Sequence, residues 1–223
     1  NSLYDDQVTI VRIEKSTAQA GATVGATTEQ AAELQSLAKA GANLVSNSAF
    51  ASTVGGNMAP GWVLYNNAAI ANAQWWYRGG GMFGTDAQRV KTLAATTNTF
   101  GVYTGFAQGG GVRYVPGWGH YISFYARAVS GEPGFAGLTM SGLANNNLWN
   151  NTQTIENPPL LNDVYQRYVF YGVANAGADL TAGMLWITAN GSKPANASLD
   201  ICCVQVEAAV SGAVTAWEPG YYD

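Results

Sequence analysis

From Ala42 onward the chain consists of short runs of β-branched and aromatic residues, with Gly, Asn and Pro separating one run from the next. The run Tyr121–Arg127 (YISFYAR) alternates at every step, as a strand with one buried face does. Turn-forming residues between the runs and the lack of a helical period in this part of the sequence favour an all-β sandwich. The predicted strands are 43–50, 61–66, 87–94, 99–107, 120–130, 135–142, 164–173, 182–189 and 198–207.

The closing stretch, Leu199–Asp223, predicts how this sandwich is completed. It begins as an alternating strand, and the alternation would place its two adjacent cysteines on opposite faces. It then passes through small residues and ends with Trp217-Glu218-Pro219-Gly220, which is typical of a last strand followed by a tucked Trp. Together with Asn43–Phe50, this stretch brackets residues 43–223 as one domain.

The first 42 residues have a different composition. Residues 1–15 contain one short alternating run, and since a strand needs a partner we expect it to belong to an upstream portion or to pair with another copy. Residues 16–42 are rich in Ala and Thr and predict a helical neck. A seven-residue spacing favours a short coiled coil between copies, and the alternative is a helix packed on its own sandwich. The predicted oligomerisation seam is Val24, Ala31, Leu34 and Ala38.

Charged residues make up only 11 % of the chain, and the net charge is −4. This balance argues against nucleic acid as a partner, because nucleic acid selects basic surfaces. No apolar run is long enough to insert into a membrane. The adjacent Cys202 and Cys203 are interpreted as small buried residues, and the lone His120 is too little for a multi-His zinc site. These patterns predict no cofactor.

Sugar recognition requires flat aromatic faces beside amide or guanidinium groups that bind hydroxyls. Three stretches offer this combination: 74–78 (QWWYR), 114–120 and 145–151 (NNNLWNN). The alternative for each aromatic is burial in the core or between subunits, and we expect Trp62, Trp186 and Trp217 to be core. The candidate glycan-binding residues are Trp149, Asn147, Asn150, Trp75, Trp76, Tyr77, Arg78, Trp118 and His120.

Patterns for catalysis are weak in this sequence. The acidic residues fall mostly in predicted turns, where they do not provide the two facing carboxylates that a glycosidase uses. No nucleophile elbow accompanies His120, so no Ser-His-Asp arrangement can be argued. We expect that the chain is not an enzyme.

Several sequence features together resemble those of a known group of domains. They are the pattern Asn43-Leu44-Val45-x-Asn47-x-x-Phe50, the pair Gly61-Trp62, the run Tyr121–Arg127, the run Tyr165–Tyr168 and the closing sequence VQVEAAVSGAVTAWEPGYYD. With these features the segment 43–223 resembles the jelly-roll carbohydrate-binding modules of glycoside hydrolases. It is also similar to the related sandwich domains at the ends of bacteriophage tail-fibre and tail-tip proteins.

The resemblance implies a jelly-roll β-sandwich after an upstream strand and a helical neck, as at the distal end of a trimeric phage fibre. It implies a homotrimeric receptor-binding protein of the virion tail that acts outside the cell, with a host-cell surface glycan or another surface receptor and other tail proteins as partners. The alternatives are a structural fibre-tip domain without sugar binding and a carbohydrate-binding module of a secreted glycoside hydrolase.

The resemblance also bears on calcium. Many such modules hold a structural calcium with a Glu after the first-strand Phe and a second acid near the last strand. Here Ala51 follows Phe50, which leaves Asp200 as the one acid in a matching place, and one carboxylate is too few for an oxygen cage.

Overall fold

The structure, a computed structural model, is a sandwich of two antiparallel five-stranded sheets. The residues that it describes are 42–51, 58–66, 72–77, 80–129, 138–143, 153–155, 164–174, 183–189, 192–210 and 212–219. The predicted strand in residues 1–15 lies outside the described residues. So does the predicted neck up to residue 41, including its seam residues Val24, Ala31, Leu34 and Ala38, and both stay predictions.

The strands of the described part follow one another along the chain, and the connections cross repeatedly between the two sheets. In chain order they are β1 (Trp62–Asn66), β2 (Asn72–Tyr77), β3 (Ala87–Thr92), β4 (Phe100–Gly105), β5 (Gly119–Arg127), β6 (Leu138–Leu143), β7 (Gln153–Ile155), β8 (Gln166–Val173), β9 (Met184–Ala189) and β10 (Ser198–Ala208). The first sheet has the order β1-β4-β9-β6-β7, and the second has the order β2-β3-β10-β5-β8. This architecture is the predicted jelly-roll β-sandwich.

The core lies between the two sheets and is filled by the alternate residues of their strands. Ile122 and Phe124 of β5 are fully buried, as are Leu185 and Ile187 of β9 on the facing sheet. Each such side chain contributes about 1.5–3 kcal/mol to folding by leaving water. The alternation predicted from the run Tyr121–Arg127 is therefore confirmed.

The observed strands differ from the predicted ones in one predicted strand that is absent and two observed strands that were not predicted. The predicted strand 43–50 is wrong: these residues form a single bridge, from Val45 to Val112, and then a turn. Asn47 and Phe50 take positive φ values of 47° and 54°, which an extended strand does not allow. The Phe50 ring instead packs on Trp62 with 4.6 Å between centroids. Two observed strands, β2 and β7, were missing from the predicted set.

Asn43 joins the start of the domain to its last strand. Its Nδ2 donates to the carbonyl oxygens of Val204 (2.9 Å) and Glu218 (3.0 Å), and its Oδ1 accepts from the backbone N–H of Val206 (3.1 Å). Asn43 is 4 % exposed, and its bonds to Val204 and Val206 form away from water. This side chain adds to the backbone hydrogen bonds that join the first segment to β10, from Leu44 N–H to Val206 O (2.7 Å) and from Val204 N–H to Ser48 O (3.0 Å).

Replacing Asn43 by Ala is expected to lower the free energy of unfolding by about 3 kcal/mol, because buried backbone groups of β10 lose their partners and each costs about 1–3 kcal/mol. Urea unfolding measures this change. Asn43→Asp is the matched control, since it keeps the acceptor for Val206 and loses both donations. A loss below about 1 kcal/mol for Asn43→Ala would show that water replaces the amide.

A β-bulge interrupts β10 and corrects the predicted placement of the two cysteines. Cys202 pairs with Tyr125 and Gln205 with Ser123, so β10 has one more residue than β5 over this interval. Cys203 takes φ +52° at the bulge. Both cysteines are buried in one small cluster, outside the main core, rather than on opposite faces. They are free thiols, and both are fully buried as expected.

The charged residues of the strands all belong to the second sheet. The five strands of the first sheet contain no Lys, Arg, Asp or Glu. The charged strand residues of the second sheet are Arg89, Lys91, Arg127, Arg167, Asp200 and Glu207.

Among the described residues no helix is long and apolar enough to cross a membrane.

Candidate functional site

A buried carboxylate lies at the centre of the outward face of the second sheet. In the strand register Asp200 of β10 stands directly opposite Arg89 of β3 on one side and Arg127 of β5 on the other. Directly paired residues of antiparallel strands share a face, so the three side chains meet. We call Arg89, Asp200 and Arg127 the Arg–Asp–Arg row.

The two arginines bind the carboxylate of Asp200 unequally. Arg89 forms a two-pronged pair with it, from Nε to Oδ1 (2.6 Å) and from Nη2 to Oδ2 (2.8 Å). Arg127 adds one bond, from Nε to Oδ2 (3.2 Å), and its guanidinium lies 4.4 Å above the ring of Tyr165. Asp200 has no exposed surface, while the arginine side chains keep 24 % and 25 % of theirs. The row thus combines two partly exposed arginine side chains with one buried acid.

The Asp200→Asn variant is expected to lose about 3 kcal/mol of unfolding free energy, the lower end of the 3–5 kcal/mol for breaking a buried ion pair, because both arginines can rehydrate. Arg127→Gln is the control, since Arg89 still holds the carboxylate, and we expect it to cost about 1 kcal/mol or less. Equal losses in urea unfolding for the two variants would contradict the assigned roles.

A tight turn beside this row presents an exposed aromatic ring. The 3-10 turn Met82–Gly84 lies between β2 and β3, and Phe83 at its centre has φ +55°, ψ +22°. A bulky side chain rarely adopts this left-handed conformation. Phe83 is 64 % exposed, its ring is parallel to that of Trp217 (6.0 Å between centroids), and it meets the edge of Tyr125 at 5.6 Å.

The thiols at the β-bulge hold this turn against the sheet. The backbone N–H of Met82 donates to Cys202 Sγ (3.3 Å), and Thr85 Oγ1 lies 3.2 Å from Cys203 Sγ. Thr85 closes the turn by donating to Met82 O from both its N–H (3.0 Å) and its hydroxyl (2.8 Å). Hydrogen bonding between the two thiols raises the pKa of Cys202 and lowers that of Cys203. The strained Phe83 is therefore positioned by its surroundings rather than by its own preference.

The C-terminal tail packs against another part of this face. Thr215 donates to Glu207 from its N–H (2.7 Å to Oε1) and its hydroxyl (2.8 Å to Oε2), and Glu207 is 1 % exposed. Arg167 Nη2 donates to Thr215 O (2.7 Å). Trp217 packs half-buried against the cysteine cluster instead of entering the core as predicted. Phe83 and the side chains of Arg89 and Arg127 remain at least partly exposed on this face.

The outward face of the first sheet has an aromatic stripe of a different kind. Tyr103 stacks on Trp186 across β4 and β9 (5.9 Å, 17°) and meets Tyr65 of β1 edge-on (6.1 Å). All three are half-buried, so the prediction that Trp186 is a core residue is wrong, whereas Trp62 is buried as predicted. No charged strand residue accompanies this stripe, and it therefore lacks the guanidinium and carboxylate groups of the second sheet.

Most of the predicted glycan contacts stay predictions. Trp75, Trp76 and Tyr77 belong to edge strand β2, whose backbone is described, and Trp75 pairs in register with Arg89. This register places Trp75 in line with the Arg–Asp–Arg row. The remaining members of the first and third predicted stretches lie outside the described residues, and they are Arg78, Asn147, Trp149 and Asn150.

The second predicted stretch lies at the other end of β5. Trp118 precedes β5 and packs partly buried against the main core, and Arg127 is at the far end of the strand, about 25–30 Å away by strand rise. His120 is fully buried, and its Nε2 accepts from the N–H of Val115 (3.0 Å). Burial lowers the pKa of His120 to about 3, and a hydrogen bond with the backbone of Trp118 partly offsets this effect. A glycan contact through His120 is therefore a wrong prediction.

The arrangement around Asp200 does not fit calcium binding. Both carboxylate oxygens already accept from guanidinium groups, whose positive charge opposes a cation at the same place. Within the described ranges, no three His, Cys, Asp or Glu side chains come together as a metal site. Asp200 is the centre of an ion-pair network and not a candidate ligand.

Comparisons with known proteins support the fold. No family model matches the chain, and no curated protein is similar to it in sequence. An apo cyclase from Fischerella sp. matches with a TM-score of 0.56 at 12 % identity, over 80 % of this chain and 96 % of that one. The arabinose-bound α-L-arabinofuranosidase MgGH51 matches with a TM-score of 0.55 at 15 % identity, over 77 % of this chain.

A further solved structure is matched over almost its whole length. It is a putative sugar binding protein from Bacteroides thetaiotaomicron VPI-5482, with a TM-score of 0.50 and 13 % identity over 74 % of this chain and 99 % of that one. The match to the arabinofuranosidase, by contrast, covers only 27 % of that enzyme. At these identities the likeness shows the fold alone.

Proposed function

We propose that the chain binds a cell-surface glycan through the outward face of its second sheet. The observation that carries this proposal is an exposed aromatic ring, Phe83, held in a strained turn beside the guanidinium groups of the Arg–Asp–Arg row. A sugar ring offers an apolar face for the aromatic and hydroxyl groups for hydrogen bonds to the guanidinium groups. A strained backbone conformation persists only where surrounding contacts hold it, and such strained residues cluster at ligand sites.

The setting of this binding follows from the resemblance of residues 43–223 to phage tail-fibre ends. On this proposal the chain is the receptor-binding end of a virion tail and acts outside the host cell. Residues 16–42 would join three copies, and weak binding by each copy would be multiplied by the number of copies. The sandwich shared with a putative sugar binding protein and an arabinofuranosidase is compatible with it.

The same face supports binding without catalysis. The two carboxylates on its strands are Asp200, held by two arginines, and Glu207, held by Thr215. Neither is exposed. A glycosidase needs two carboxylates that reach the scissile bond, so this face is better suited to holding a sugar than to cleaving one.

The proposal is tested by adding the labelled full chain to a panel of bacterial cells. Binding is expected to disappear when the cells are treated with periodate, which cleaves sugar diols, and to survive protease treatment. Binding that is lost to protease and survives periodate would identify a protein receptor. No binding to any strain would favour the alternative of a structural fibre-tip domain.

The number of copies has its own test. Light scattering of the full chain is expected to give three times the chain mass of 23.4 kDa. In the Leu34→Asp variant the mass is expected to fall to that of one chain, because a charge in a helical seam opposes association. A single-chain mass for the unchanged protein would contradict the trimer and favour a carbohydrate-binding module carried singly by a secreted hydrolase.

A further inference from the structure

The charges on the second sheet are positive in excess, although the chain as a whole is negative. The strands of this sheet carry four basic residues against two acids, while the chain has a net charge of −4. The first sheet has none on its strands. The basic strand residues therefore belong to the sheet on which the sugar is proposed to bind, which favours an anionic ligand. They are Arg89, Lys91, Arg127 and Arg167.

Arg127 has the donors that an anion would use. Its Nε–H is taken by Asp200, which leaves the four N–H bonds of its two terminal nitrogens without an acceptor among the residues that the structure describes. Arg89 already pairs with Asp200 through two bonds, so the acid offsets one of the two positive charges in the row. One positive charge remains, and a planar carboxylate fits the open edge of the guanidinium.

The guanidinium of Arg127 is held against an aromatic ring. Its guanidinium lies 4.4 Å above the ring of Tyr165, whose hydroxyl donates to Gly80 O at 2.8 Å. Tyr125, two residues away on the same face of β5, carries the edge contact with Phe83. The step between residues two apart on a strand is about 7 Å. Phe83 therefore contacts the residue one such step along β5 from Arg127, and the proposed sugar would span this step.

We infer that the glycan bound by this face is acidic: its sugar ring lies on Phe83 and its carboxylate pairs with the terminal nitrogens of Arg127. This inference rests on the proposed function and names the class of sugar, a uronic acid or another carboxylate-bearing sugar. Because the Arg127 side chain is only 25 % exposed, the pair forms in partly desolvated surroundings, where a charge-assisted hydrogen bond is stronger than in bulk water.

The test uses a panel of polysaccharides from bacterial capsules and lipopolysaccharides, and it compares each native polymer with its carboxyl-reduced form. Treatment with carbodiimide and borohydride gives the reduced form by converting uronic acids into neutral sugars. The full chain is expected to bind at least one native polymer about tenfold or more tightly than the reduced one, the size expected for a charged hydrogen bond. Arg127→Gln should weaken binding to the native polymer about tenfold and binding to the reduced form by clearly less, because only hydroxyl contacts with this side chain are lost there. Lys91→Gln removes the same charge from the same sheet, and it should change binding to the native and to the reduced polymer by less than about twofold.

The outcomes separate the inference from the function on which it rests. Equal binding to native and reduced polymers would overturn the acidic ligand and leave glycan binding in place. Binding that survives carboxyl reduction but is lost when hydrofluoric acid removes phosphate esters would also overturn the carboxylate ligand and leave glycan binding in place. Absence of binding to every polymer would overturn the proposed function itself. Equal weakening by Arg127→Gln and Lys91→Gln would reduce the role of Arg127 to general charge and contradict the assigned contact.

Discussion

Replacing Phe83 by glycine is expected to weaken glycan binding at least about tenfold, because covering a Phe side chain is worth about 1.5–3 kcal/mol. Folding should hardly change. Phe83 has φ +55°, a conformation that glycine adopts freely and that costs other residues about 1–2 kcal/mol. This gain offsets the lost ring contacts with Tyr125 and Trp217, so the free energy of unfolding should stay within about 1 kcal/mol of the wild-type value.

The controls for this prediction use the chain's other aromatic surfaces. Phe83→Ala removes the same ring and keeps the strained φ, so it should bind as weakly as Phe83→Gly and be less stable. Tyr65→Ala removes a half-buried aromatic from the first sheet and should bind normally. Unchanged binding by Phe83→Gly, together with a loss in Trp149→Ala, would move the site to the Asn-rich stretch 145–151 and contradict the assignment to Phe83.

Acid is expected to destabilise the domain through His120. Its pKa is about 3 in the fold and about 6.5 in the unfolded chain, so the unfolded state binds the proton more tightly between these values. Stability is unaffected by this group above pH 6.5 and falls as the pH decreases toward 3. Integration of the difference gives a loss of about 3 kcal/mol by pH 4 and about 4 kcal/mol by pH 3.

The measurement is urea unfolding of the wild type and His120→Gln from pH 7.5 to pH 4. Glutamine does not titrate and its carbonyl can accept the Val115 N–H, but it loses the ring contact of His120 with Tyr114, so the variant should be less stable at pH 7.5. At pH 4 the difference should shrink or reverse, because only the wild type has the proton penalty. A constant difference over this range would mean that His120 does not titrate as its burial requires.

The strands were largely predictable because alternation records the two faces of a sheet. In Tyr121–Arg127 every second residue is apolar, and these residues do face the core. The same alternation extends back to His120 and puts it on the buried face with Ile122, a signal that outweighs its neighbourhood of loop aromatics. The error at 43–50 has another cause: the backbone turns at Asn47 and Phe50, and positive φ in Phe has no sequence signature.

The candidate site was harder to predict because it depends on contacts between distant segments. Phe83 is separated by more than a hundred residues from the thiols that hold its turn, and nothing in the sequence MFG distinguishes it from an ordinary loop. The bulge at Cys203 adds one residue to β10 and moves a cysteine out of the expected alternation. The sequence did contain one usable signal. Asp200 is an acid within an apolar strand, and a buried acid needs a charged or hydrogen-bonding partner.

Hydrogen exchange read by mass spectrometry tests the central claim, that the glycan binds at Phe83 and the Arg–Asp–Arg row. The ligand is an oligosaccharide released from the polysaccharide that binds best, added in excess to the full chain. The account predicts slower exchange in peptides covering 80–90 and 121–129. Protection confined to the stripe of the first sheet, in peptides covering 100–105 and 184–189, or to 145–151, would contradict it.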